Sequence, residues 1–262
     1  MIHKSLESIP ESKEFKLPVL WKKGFWMAVG IGLISALFGL VREETVFWNH
    51  YLLNYFFWMS LVLSGVFFTA LQYVSGASWS VPLRRIPELL GGLFPLVLLL
   101  FIILFFGLPS IYEWTHADVV AADPLLRHKA AYLNIPFFAF RNILFLLLWG
   151  GAGFLFLRFS TEQDRTGAVH LSRFSGRLAA PFLVFFALSY TLTSFDLLMS
   201  LEPHWFSTIF GVYCFAGLFL SGLALITVIV ILLKKQGVLP FINDSHLHDL
   251  GKFMFAFTIF WA

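Results

Sequence analysis

The chain has 262 residues, of which 59% are hydrophobic and only 13% charged, with a mean hydropathy of +0.82. Soluble domains carry about 25% charged residues, so water is not the solvent for most of this surface. The single cysteine, Cys214, lies in an apolar run, which excludes a disulfide framework, a CxxCH haem attachment and a cysteine-ligated iron–sulfur cluster within the chain. The net charge of +3 follows membrane topology rather than forming a basic patch, so nothing points to nucleic acid.

Residues 1–21 read as a cytoplasmic tail. Glu7, Glu11 and Glu14 stand among its lysines, and no small-residue cleavage site follows the first apolar run, so it is not a signal peptide. From residue 22 the chain is a membrane domain. A spanning helix needs about 20 mostly apolar residues to cross about 30 Å of hydrocarbon. Six segments qualify: Phe25–Val41, Leu52–Val74, Leu89–Leu108, Pro136–Leu157, Leu178–Met199 and Ser207–Leu233. The first is short unless Lys22 and Lys23 snorkel. A seventh begins near Leu250, and the 12 residues from Gly251 to Ala262 rise only about 18 Å. It is therefore expected to be a truncated span of a longer protein. Barrel strands alternate in segments of about 10 residues, whereas these runs are continuous. The fold class is all-α and polytopic.

Lysine and arginine set the orientation. With the N-terminus inside, the inner segments hold Lys4, Lys13, Lys16, Lys22, Lys23, Arg84, Arg85, Arg158, Arg165, Arg173, Arg177, Lys234, Lys235 and Lys252. The outer side keeps only Arg42, Arg127, Lys129 and Arg141 of the 18 basic residues. The outer stretch from Pro109 to Ile135 is the longest loop. Asp123 before Pro124 predicts a short interfacial helix, and Asn134 with Pro136 caps and opens the fourth span. The inner stretch Arg158–Arg177 reads as a polar connection, and Pro95 predicts a kink in the third span.

Ionisable groups inside a membrane are costly and mark functional candidates. Ser189, Thr193, Asp196 and Ser200 fall at i, i+4, i+7 and i+11, on one face of the fifth span. Such a stripe suits proton passage or a quinol hydroxyl, and equally a polar seam between helices. Arg141 and Asn142 lie at a depth similar to Asp196, so antiparallel neighbours can pair Arg141 with it, either as a static ion pair or beside a cavity. Glu88 opens the third span, as the mouth of a proton path or as an interfacial cap. His50, His116, His128 and His204 belong to outer ends or loops, and no histidines face each other within the helices as a membrane b-type haem requires. His246 and His248 resemble a metal pair only weakly, and no metal site is expected. Gly211, Cys214, Gly217 and Ser221 form a small-residue face on the sixth span, which casts Cys214 as a packing residue.

Four segments carry a resemblance: QYVSGASWSVPLRRIPE from Gln72, WTHADVVAADPLLRHKAAYLNIPFF from Trp114, SFDLLMSLEPHWFSTIFGVY from Ser194, and LPFINDSHLHDLGKFMFAFTIFW from Leu239. In this order they resemble the NrfD-like membrane subunits of bacterial alternative complex III. The resemblance runs from the second span to the end. It implies NrfD-like helix bundles: a peripheral first helix and outer loop over 22–50, a first four-helix bundle over 51–200, and the start of a second over 201–262. It also implies a non-catalytic, multi-pass subunit of the bacterial inner membrane within a quinol-oxidising complex. Haem and iron–sulfur clusters would sit in partner subunits: a multihaem cytochrome c, an iron–sulfur protein, a second NrfD-like subunit, other subunits of the complex and a terminal oxidase. Quinone or quinol could bind near this chain and membrane lipid would surround it, with no cofactor covalently bound. Asp196 would accept a proton or start its exit path, with Glu202 and His204 nearer the surface and His116 and Asp118 on the neighbouring loop. The residues themselves leave two further readings open, a secondary transporter or proton channel and a purely structural membrane anchor.

Overall fold

The computed structural model describes Phe15 and residues 17–262. The tail expected over 1–21, with His3, Lys4, Lys13 and Lys16, therefore lies outside the described residues except at its last positions. Among those described, the chain is helical with no strand. Six helical segments are long and apolar enough to cross a membrane: Val19–Arg42, Glu44–Ser75, Arg85–Ile111, Ile135–Thr166, Val169–Leu201 and Phe210–Lys235. This is the organisation of a multi-pass membrane protein. All six expected spans are present, and most are longer than hydropathy suggests.

The extra length corrects two expectations. The outer loop placed before residue 51 shrinks to Glu43, which separates α1 (Val19–Arg42) from α2 (Glu44–Ser75). Polar side chains there bond laterally instead of breaking the helix. The Glu44 carboxylate accepts from the Trp48 indole at 3.3 Å and from Ser110 at 3.1 Å. Likewise, the inner connection Arg158–Arg177 is not a loop. It consists of the protruding ends of α8 (Ile135–Thr166) and α9 (Val169–Leu197), joined by Gly167 and Ala168. Gly167 supplies the left-handed φ of 69° that stops α8. Hydropathy finds only the lipid-facing part of a helix, whereas helices of 32 residues rise about 48 Å and outrun the hydrocarbon.

The third span is broken into α3 (Arg85–Gly91), α4 (Phe94–Leu104) and α5 (Leu108–Ile111). Pro95 sits in the first turn of α4, where its missing N–H costs no hydrogen bond. The disruption therefore falls just before it, at Gly92 and Leu93. Glycines set the crossing here. A methyl group at Gly91 would stand 3.0 Å from the Val66 side chain and 3.5 Å from the Gly153 Cα, so α3 and α8 meet backbone to backbone with Val66 of α2 packed against them.

The loop after α5 carries α6 (Ala117–Ala122) and α7 (Pro124–Lys129). Asp123 caps α7 by accepting from the Leu125 and Leu126 amides at 2.7 and 3.3 Å, and Asn134 caps α8 by accepting from Phe137 at 3.0 Å. Both caps stand where the sequence placed them. α10 (Phe210–Lys235) leads to α11 (Asp244–Trp261), whose first turn is closed by a capping box between Asn243 and His246. That helix begins earlier than the expected Leu250, because polar capping residues do not register in hydropathy.

α2, α3–α4, α8 and α9 pack as a four-helix bundle around Leu63, Phe101, Phe138, Trp149, Phe156 and Phe186, all buried. α10 joins through Phe219 and Phe215, whose rings lie 5.0 and 4.9 Å from Phe67, and α11 through Phe257, 4.6 Å from Phe219. α1 packs mainly against α2 near the Glu43 hinge and buries none of its residues. Its all-round apolar surface suits lipid. Successive spans run in opposite directions. One end of the molecule, rich in loops, holds residues 112–134 and 202–209. The other, rich in arginine, holds Arg84, Arg85, Arg165 and Lys234.

Candidate functional site

At the loop-rich end α8 and α9 lie side by side, which brings Arg141, the seventh residue of α8, to Asp196, the penultimate residue of α9. The guanidinium donates Nε–H to Oδ2 at 3.1 Å and Nη2–H to Oδ1 at 2.8 Å. This bidentate fork is the strong form of the contact. Asn142 donates to Asp196 Oδ2 at 3.1 Å and to the Phe138 carbonyl at 3.0 Å. The remaining guanidinium nitrogen donates to the Tyr132 carbonyl at 3.1 Å. The cation also lies 3.8 Å from the Tyr132 ring centroid and 4.2 Å from that of Phe137. Asp196 is 0% exposed and Arg141 5%. Two charges removed from solvent persist only when every polar atom finds a partner, and this cluster meets that condition. The pairing expected from matched depth is present.

The hydroxyl stripe of α9 is buried along its length. Ser189 accepts from the Trp149 indole at 2.9 Å and donates to the Phe185 carbonyl at 2.7 Å. Ser200 accepts from Trp114 at 3.3 Å and donates to the Asp196 carbonyl at 2.6 Å. Tyr112 donates to the Leu197 carbonyl at 2.8 Å. These bonds hold helices and loop together, whereas Thr193 has no partner for its hydroxyl.

Above the ion pair lies a cleft of about 370 Å³. Leu133, Leu192, Phe195, Met199 and Trp205 make it apolar, and Lys129, Tyr132 and Ser200 add polar groups. Lys129 bonds the Pro203 carbonyl, which ties the 202–209 hairpin to the end of α7. The Tyr132 hydroxyl is buried beside the Asp196 carboxylate. Burial, and then the Asp196 charge, push its pKa well above the ordinary tyrosine value, so it remains a proton donor. The Tyr112 hydroxyl is pushed up by the same two causes.

The other expected residues divide between the two ends. His204 Nε2 lies 2.7 Å from the Asp123 carboxylate on the rim of the hairpin. Desolvation raises the Asp123 pKa, but the Leu125 and Leu126 amides and His204 outweigh it, and the net shift is downward. Glu202 and Asp118 are exposed, and His116 Nε2 is 2.9 Å from the Pro109 carbonyl. None of the three is hydrogen-bonded to the Arg141–Asp196 cluster. Glu88 is at the arginine end, away from this site. Among the described residues no three of His, Cys, Asp and Glu converge as metal ligands would. The sequence reading missed Tyr132 and Phe137, which flank the Asn134 cap and so come round onto Arg141. Aromatics one turn before a membrane arginine were the available signal. Compared with known proteins, the sequence matches no family model, and no curated protein is significantly similar to it.

Proposed function

We propose that this chain is a membrane subunit of a quinol-oxidising electron-transfer complex of the alternative complex III type, in a bacterial inner membrane. The N-terminus would be cytoplasmic and the loop-rich end would face the periplasm, towards the multihaem and iron–sulfur partners and beside a second NrfD-like subunit. One observation carries this reading. The buried Arg141–Asp196–Asn142 cluster underlies an apolar cleft lined by Tyr132, whose hydroxyl lies beside the Asp196 carboxylate. A quinol needs an apolar slot for its ring and a polar partner for each oxygen. Its two-electron oxidation also releases two protons, which must leave towards water.

The residues divide that work. Tyr132 donates to a quinol oxygen from a ring held by the Arg141 cation. The Asp196 carboxylate receives three N–H bonds, so its role is to fix Arg141 and Tyr132 rather than to take the first proton. His204 and Glu202 on the rim are the exits to solvent. The same saturation of Asp196 favours a second reading, in which the pair is static and the chain is an anchor for its partners.

Purification of the tagged full-length protein from native membranes tests the assignment. Co-elution with a haem c absorbance, an iron–sulfur subunit and a second NrfD-like chain supports it, while a haem-free, self-contained protein overturns it. Asp196→Asn then separates the two readings. Lost quinol oxidation in an assembled complex favours the site, and normal turnover favours the anchor.

A further inference from the structure

Towards the arginine end a cleft of about 410 Å³ opens between α11 and the turn that follows α2. Trp79 forms one wall, and Asp249, Lys252, Phe253 and Ala256 form the other. These four fall at i, i+3, i+4 and i+7, so they share one face of α11. Lys252 donates to the Asp249 carboxylate at 3.1 Å, and both side chains remain partly exposed. The Trp79 ring stacks on Phe253, with centroids 5.9 Å apart and planes 19° apart, which fixes the indole against the helix.

The cleft is graded along the membrane normal. α11 starts at the arginine-end surface, where Asp244 pairs with Lys234, and reaches the core at Phe257, which packs on Phe219. Asp249 and Lys252 lie between these levels, and their face continues inward through Ala256 to Ile259, both exposed. From Asp249 to Ile259 the helix rises about 15 Å, the depth of one leaflet in a hydrocarbon core of about 30 Å. Tryptophan and lysine near a helix end also mark the headgroup level of a bilayer. The ion pair sums to zero charge, so a ligand with a single charge meets one like charge whatever its sign. A ligand with one charge of each sign meets an opposite charge at both.

We infer that this cleft binds the headgroup of a zwitterionic phospholipid from the leaflet at the arginine end. Lys252 pairs with the phosphate and Asp249 with the headgroup ammonium. The Trp79 indole donates to a phosphate or ester oxygen, and an acyl chain runs along Ala256 and Ile259. Asp249 supplies the selectivity, because it repels the phosphate of a lipid that brings no ammonium to offset it. The inference is independent of the quinol reading, since the cleft shares no residue with the Arg141–Asp196 cluster at the other end of the molecule.

Native mass spectrometry of the delipidated full-length protein, titrated with phosphatidylethanolamine or phosphatidylglycerol, tests it. The first phosphatidylethanolamine is expected to bind about tenfold more tightly than the first phosphatidylglycerol. Lys252→Met should weaken that first phosphatidylethanolamine about tenfold, and Asp249→Asn should bring the two lipids within about twofold of each other. An exposed pair contributes little to stability, so both variants keep the wild-type melting temperature and the comparison reads binding alone. Equal affinity of the wild type for the two lipids, or a preference for phosphatidylglycerol, overturns the proposal. So does undiminished phosphatidylethanolamine binding in Lys252→Met.

Discussion

Replacing Asp196 by Asn keeps the shape of the side chain and removes its charge, leaving the Arg141 cation buried against a neutral amide oxygen, the Tyr132 carbonyl and two aromatic rings. Breaking a buried pair from one side costs about 3–5 kcal/mol. The remaining cation–π contacts offset about 1–2 kcal/mol, which leaves a loss of about 1–4 kcal/mol. For a chain of 262 residues, each kcal/mol lowers the melting temperature by about 2–4 °C, so a fall of roughly 2–16 °C is expected. The double variant Arg141→Met/Asp196→Leu removes both charges and preserves bulk, and buried pairs replaced in this way are often neutral. It should therefore melt closer to the wild type than either single variant, with a coupling of about 2 kcal/mol. Intrinsic-fluorescence melting of the purified protein in detergent measures all four species. If Asp196→Asn melts within about 1 °C of the wild type, or the two single effects simply add, the pair does not hold α8 to α9 and the reasoning fails.

Gly107 packs under Trp48, where an added methyl would stand 2.1 Å from the indole. Gly107→Ala should thus cost about 1–3 kcal/mol through overpacking, while Gly30→Ala, with nothing within 4 Å, should leave the melting temperature unchanged or slightly raised. The Asp123 carboxyl is depressed in the folded state, so its contribution is present above the unfolded value of about 3.9 and is lost as pH falls through the lower folded value. Hydrogen exchange in the 202–209 hairpin should be flat from pH 7 to 5 after correction for intrinsic rates and accelerate only in stronger acid, and Asp123→Asn should abolish that acid step. Tyr132→Phe deletes the hydroxyl but keeps the ring over Arg141. It should leave the stability within about 1 kcal/mol of the wild type and weaken quinol oxidation by the assembled complex about tenfold, as loss of one hydrogen bond to substrate does. Unchanged turnover removes Tyr132 from the site.

Much of the fold is written in composition. Six runs of apolar residues have one stable solution in lipid, and Asp123–Pro124 and Asn134–Pro136 mark their helices by local chemistry that needs no tertiary context. The meeting of Arg141 and Asp196 was also legible, because two charges at equal depth on antiparallel neighbours have no cheaper arrangement. The Tyr132 cleft was not. It depends on how the 202–209 hairpin folds back on α7, through the Lys129 bond to a backbone carbonyl, and any residue offers a carbonyl. Nor did the sequence show that Ser189 and Ser200 are consumed by Trp149 and Trp114, since an indole donor leaves no periodic trace. Asp164 read as part of a plain connection because helical continuation beyond the lipid carries no hydropathy signal.

The polar clusters around Asp196 and Glu88 meet the same problem, and the atoms that surround each bear on what it can do. Both place a carboxylate against arginine near a helix end, where the penalty for charge is smaller than at mid-membrane. Asp196 accepts three N–H bonds from Arg141 and Asn142, and a group so held is rigid, suited to fixing the geometry of its neighbours. Glu88 is held between Arg84 and Arg85, with Ser160 beside it. What each carboxylate can do is therefore a consequence of which atoms face it. α8 and α9 contribute to both clusters, one at each end of the bundle.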